Sequence, residues 1–238
     1  MTYLELCQDL VGQFGLSGGT GPTTVAGQQG ELLNVTRWIR DACLYIENLW
    51  EDWRFHWTEY SGTVAVNTNT ATAPATPVGV VVRTWNLKSI KIRISGSGDQ
   101  FQRIPYLRWD DFSEQYDPAT DDASDPTCFT IAPDDTLRFN CRVSSAYDVK
   151  GEFWRMPVAL AVDNDTPLIP KAYHRLIVCR AVVMYADRED APELVSGCGA
   201  EYTDMMEKLE GLCLPGARHR RQSMDHGEQA SGAESWTS

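Results

Sequence analysis

From Leu32 to Trp53, apolar residues recur at Leu32, Val35, Ile39, Ala42, Ile46, Leu49 and Trp53 in unbroken steps of three and four. Only a helix places such a series on one stripe, and a stripe of this length must lie along other helices. A shorter amphipathic helix is predicted before it over 2–14, with Tyr3, Cys7, Leu10 and Phe14 on one side, Thr2 as N-cap and Gly15 as the stop. Between the two, Leu16 to Gly30 holds five glycines, Pro22 and three threonines, and reads as an unusually long loop. Trp50, Trp53, Phe55 and Trp57 crowd the exit of the long helix.

From about Thr58 to Val162 the period changes to two. Lys88, Ile90, Ile92 and Ile94 alternate with Ser89, Lys91 and Arg93, and Leu137, Phe139 and Cys141 with Arg138, Asn140 and Arg142. Both patterns predict half-buried strands. Phe129 and Ile131, followed by Pro133-Asp134-Asp135, predict a hairpin with the Leu137 strand, and Val78–Val82 predicts a fully buried strand. Tyr106 to Tyr116 spaces Trp109, Phe112 and Tyr116 as a short helix. At Pro167 the helical period returns. Pro170 suits a first turn, Tyr173, Ile177, Ala181 and Met184 line one face, and a second helix from Ala191-Pro192 carries Leu194, Cys198, Tyr202, Met205, Leu209 and Leu212 to Leu214-Pro215-Gly216.

The fold class is therefore α+β: a helical bundle formed by N- and C-terminal helices, an inserted and mostly antiparallel β lobe, and an extended C-terminal tail. The expected divisions are residues 1–57, 58–165, 166–216 and 217–238. The tail opens with Arg218, His219, Arg220 and Arg221, continues in Ser, Gly, Glu and Gln, and ends near Trp236. Alone it buries too little apolar surface to offset its ordering entropy. Its basic cluster reads equally as a solvated tail or as a docking segment for an acidic or carbonyl-rich pocket.

Charge narrows the partners. Of 21 basic and 33 acidic side chains, three of each lie in the last 21 residues, leaving 18 basic against 30 acidic in the body. Such a body gains no counterion-release attraction to DNA as a whole, although a local basic patch is compatible with it. An acidic wall can instead repel a duplex and let it slide past. No run reaches membrane-spanning length, and the N-terminus lacks the basic segment and apolar run of a secretory signal, so synthesis in a cytoplasm is expected.

Catalytic chemistry finds little support. Seven scattered cysteines without a CxxC pair argue against a zinc site or a disulfide framework, and Cys7, Cys43 and Cys179 read as small core hydrophobes. The GLSGGTG run at 15–21 lacks the Lys-Ser/Thr of a phosphate loop, and no GxSxG elbow occurs. His56, His174, His219 and His226 are dispersed, with His174 read as a partly buried or interfacial histidine rather than a base. Asp110-Asp111, Asp121-Asp122 and Asp134-Asp135 fit turns and solvated faces, and Asp163-Asn164-Asp165 a loop whose side chains also suit calcium. The tryptophans read as core and lobe-junction packing rather than base-stacking platforms. Trp38 and Tyr45, beside the main stripe of the long helix, are candidate oligomer contacts. The chain is expected to be no enzyme and to need no cofactor or metal.

The order of helix, Gly/Thr loop, long helix, aromatic cluster and β region resembles the head-to-tail adaptor (connector) proteins of tailed bacteriophages. The likeness continues from Lys150, where KGEFWRMPVALAVDNDTPLIPKAYHRLIV and a second helix ending in Leu-Pro are similar to the adaptor pattern. It covers both ends of the chain, whereas the middle matches in type only. It implies a ring, usually of twelve copies, seated under the portal at the capsid vertex and surrounding the DNA channel, with the tail inserted into the portal. Arg218, His219, Arg220, Arg221 and Trp236 would then be docking residues, portal, neck or tail proteins the partners, the virion the location, and DNA a passing cargo bound without specificity. The family has no catalytic residues to carry over. The alternatives are a tail-tube or neck completion ring of the same virion and a nucleic-acid-processing accessory factor.

Overall fold

A computed structural model describes residues 1–74, 80–116, 123–189 and 192–214. The fold is α+β with antiparallel sheets, and its contacts separate two compact units. One comprises Met1–Phe55 and, of the described residues, those from Pro157 to Leu214, the other His56–Met156.

In the first unit, helix α1 (Tyr3–Phe14) begins with a capping box: Thr2 Oγ1 accepts from the Glu5 amide, and the Glu5 carboxylate accepts from the Thr2 amide. Gly15 ends it at φ 64°, a left-handed conformation that favours glycine. Helix α2 (Gly30–Asn48) buries Val35, Ile39, Ala42, Cys43 and Ile46, as its stripe requires. It stops earlier than the periodicity predicts, and Leu49 is exposed. Trp53 nevertheless reaches the core, because the turn after the helix folds its indole back to donate to the Ile46 carbonyl at 3.2 Å. The long loop between these helices contains a short 3-10 turn, Leu16–Gly19.

Helix α4 (His174–Glu189) follows a 3-10 turn, Lys171–Tyr173, that starts after Pro170. Its apolar face is wider than expected: Leu176, Ile177, Val178, Cys179, Ala181 and Val182 are all buried, as befits a helix covered on several sides. In α5 (Pro192–Cys213) the predicted stripe drifts, leaving Leu212 exposed while Met206 and Cys213 join the core. Residues of α1, α2, α4 and α5 share one hydrophobic cluster.

The second unit holds a sheet in the order β1 (Trp57–Val64), β7 (Tyr147–Arg155), β3 (Lys91–Ile94), β4 (Gln102–Arg103), with β2 (Val82–Trp85) also paired to β7. A hairpin, β5 (Phe129–Ile131) and β6 (Leu137–Phe139), forms a second sheet with Phe129 opposite Phe139, as predicted. Helix α3 (Trp109–Gln115) lies against β5 and buries Phe112. The predicted strand at Val78–Val82 is corrected. Pairing starts at Val82, Val81 is exposed, Trp85 is the buried residue, and residues 78 and 79 lie outside those described. β7 escaped the sequence reading because Gly151 interrupts its apolar alternation of Tyr147, Val149 and Phe153.

Two glycines admit close approach in this sheet. A Cβ at Gly62 would meet the Tyr60 hydroxyl and ring and Thr72 Oγ1, and one at Gly151 would meet Ile90 Cδ1. Tyr60 cannot swing aside, since its hydroxyl donates to the Thr72 carbonyl at 2.6 Å. Gly62→Ala is therefore expected to cost about 1–3 kcal/mol by overpacking. Gly199→Ala, with open space within a helix, should instead add about 0.5–1 kcal/mol. Thermal unfolding of the two variants checks both signs.

Candidate interaction surfaces

Among the described residues, several groups with catalytic or ligand potential are engaged in structure. Asp163 accepts from the Val25 amide at 2.6 Å and from Thr24 Oγ1 at 3.0 Å, while Asp165 accepts from the amides of Ala161 and Val162. Their backbone carbonyls take the amides of Leu4 and Tyr3. The Asp163-Asn164-Asp165 loop thus ties the start of α1 and the Gly/Thr loop to the returning chain. Asp134 caps its own turn, accepting from the Thr136 amide and hydroxyl and from Arg138, and these bonds hold its carboxyl below the usual range. Asp121-Asp122 lies outside the described residues.

His174 is buried, with Nε2 2.9 Å from the Ile169 carbonyl and Nδ1 2.9 Å from the Met1 nitrogen. Burial lowers its pKa, which suits a core histidine. All seven cysteines are free and buried, and burial pushes the Cys7 and Cys179 thiols up to about 12 and raises Cys43 as well. Those three thiols stay protonated at neutral pH. Arg175 of α4 joins three helices, pairing with Asp9 of α1 at 3.6 Å and Glu201 of α5 at 3.3 Å and donating to Gln13. In the second unit an open polar hollow of about 810 Å³ is lined by Thr63, Asn67, Thr68, Asn69, Thr70, Thr72, Arg138 and Arg142, with neither nucleophile nor base paired for chemistry.

Several large apolar side chains of the helical unit are exposed, Val158 and Val162 most of all. Tyr45 is 42% exposed and Trp50 44%, and Leu49 and Leu212 are also exposed. Trp50 Nε1 donates to Glu210, and the Arg180 guanidinium lies 4.0 Å over the Tyr45 ring. Trp38 is half-buried, edge-to-face on Tyr185 at 5.3 Å, so it already has a neighbour in its own chain. Trp50 and Trp57 are exposed, which corrects the core part of the reading of these tryptophans as core and lobe-junction packing; of the three, Trp53 is buried. Arg218, His219, Arg220, Arg221 and Trp236 lie outside the described residues.

Two compact units, one helical and one of antiparallel sheets, define an α+β protein. The chain belongs to the SU10 adaptor protein family, whose pattern matches residues 1–229. That family is one of structural phage adaptors and not of enzymes, so the chain is a bacteriophage structural adaptor. No curated protein matches the chain. Among the described residues no helix is long and apolar enough to cross a membrane.

His56 gives a pH signature. It is fully buried, and burial first, then Arg155 and Arg83, lowers its pKa from 6.5 to about 4. Between those values the unfolded chain binds the extra proton, so stability falls as pH drops from about 6.5 toward 4, by up to about 3 kcal/mol. His174, lowered in the same direction, adds to the slope. Melting temperature measured from pH 7.5 to 4.5 should decline, and His56→Gln should flatten the decline.

Proposed function

We propose that this adaptor forms a ring, of twelve copies, that joins the portal vertex of the capsid to the tail and surrounds the DNA channel. Membership of the SU10 adaptor family over residues 1–229 carries the reading. The exposed apolar side chains Tyr45, Leu49, Trp50 and Leu212 supply apolar area that such a contact could bury. A closed ring requires a heterologous interface, and Trp38 and Tyr45 are its candidate residues on the long helix. The acidic body suits a channel through which DNA passes without specific binding. Residues 217–238 are the portal-docking segment, with Arg218, His219, Arg220 and Arg221 donating charge-assisted hydrogen bonds and Trp236 as a late apolar anchor.

The oligomeric mass of the purified chain, measured with and without portal, tests the ring. A twelve-copy assembly with portal is expected, and a closed two-fold dimer as the sole species there contradicts it. Truncation after Gly216 should leave folding intact, abolish stable portal attachment and show little duplex-DNA affinity at moderate salt. Unchanged portal affinity makes the tail dispensable. Tight, strongly salt-dependent DNA binding favours the nucleic-acid-processing alternative.

A further inference from the structure

The outer face of the five-stranded sheet carries a row of like charges. Strand register sets Lys150 of β7 opposite Lys91 of β3, and Lys91 opposite Arg103 of β4. Three cations therefore stand side by side, about 4.8 Å apart per strand. Like charges directly opposite one another destabilise a sheet. Among the described residues none of the three takes part in an ion pair. Phe101 lies beside the row, its ring 4.8 Å from Lys150 Nζ and 4.6 Å from the Arg93 guanidinium.

The neighbouring rows limit what this strip can hold. On one side Glu59 stands opposite Glu152, and on the other Asp148 faces Arg93 and pairs with it at 2.9 Å. The positive strip is thus one residue wide and about 10 Å long. A duplex laid across it would bring phosphates over Glu59, Glu152 and Asp148. A short, compact cluster of carboxylates fits the strip without that conflict.

The same unit carries such a cluster. Helix α3 exposes Asp110, Asp111 and Glu114, whose spacings of three and four put them on neighbouring positions of one helix surface. Among the described residues their counter-charge is Arg108, 3.7 Å from Asp110 in a pair left largely to solvent. α3 lies against β5, with Trp109 under the Arg138 guanidinium of β6, whereas the cations face out of the other sheet. No ion pair joins the two groups within one copy among the described residues.

We propose that the Lys150, Lys91 and Arg103 row receives the acidic face of α3 from a neighbouring copy. This inference rests on the ring reading above and names one of its contacts. The contact is heterologous, as closure requires. It also answers an electrostatic difficulty, since copies each carrying −12 repel one another unless opposite charges meet locally.

The test uses two full-length charge-reversed variants, Lys91→Glu with Lys150→Glu, and Asp111→Lys with Glu114→Lys. Assembly with purified portal is followed by sedimentation. Each variant alone should assemble about tenfold more weakly or worse. An equal mixture of the two should recover wild-type assembly, because every row then finds a helix of opposite sign. Lys150→Gln should melt no lower than the wild type, since the substitution relieves repulsion on an exposed face. Wild-type assembly by either reversed variant, or failure of the mixture to recover, overturns the proposal while leaving the ring standing. Absence of any wild-type ring with portal overturns the ring reading itself. Binding of a short DNA duplex by the wild type, lost on Lys91→Glu with Lys150→Glu, would make the strip a nucleic-acid surface and the proposal wrong.

Discussion

The helical unit is assembled from two stretches of chain separated by the whole of the β unit, so it depends on the contacts that bring those stretches together. The loop at Asp163–Asp165 supplies them in polar form. Its backbone carbonyls receive the amides of Tyr3 and Leu4, and the Asp163 carboxylate holds the Val25 amide and Thr24 hydroxyl. Closing so long a loop costs only slightly more than closing a short one, because the entropy grows with the logarithm of length. A few partly buried hydrogen bonds and one shared apolar cluster are enough to offset it. Arg175 adds a second bridge, from α4 to both α1 and α5.

The β unit depends in the same way on a single element, β7. Its nine residues pair with β1 along one edge and with β3 and β2 along the other. Val149 and Phe153 are fully buried, so its alternation anchors the core that both sheets share. Gly151 is part of that design, since it leaves room for Ile90 where a side chain would collide.

The helices were legible in the sequence because capping residues and apolar stripes are local signals. Thr2, Gly15 and the Leu32 series fix them with no knowledge of the rest. What local signals miss are the places where tertiary packing overrides the period. Trp53 belongs to the core without belonging to α2, because a turn and one hydrogen bond return it. Leu212 continues the stripe of α5 and is nevertheless exposed, since neighbouring helices cover a different strip. Trp50 and Trp57 look like core residues by composition and lie on the surface. The charged row on the sheet could not be read at all, because Lys91, Arg103 and Lys150 become neighbours only through strand register.

On the ring reading proposed above, the arrangement of charge fits a protein that associates with copies of itself and lets DNA pass. Net negative charge spread over the body disfavours any lasting hold on a duplex. On that reading the same charge opposes association, which then has to be driven by surfaces where the average does not apply. Two such surfaces are visible: the exposed apolar side chains that include Trp50, where hydrophobic contact is indifferent to charge, and a sheet row where cations stand together at an intrinsic cost. On the ring reading, the first supplies area and the second supplies register. A row matched to one acidic helix admits a single orientation of the next copy, and such a fixed orientation, repeated, closes a ring when its rotation divides a full turn without rise.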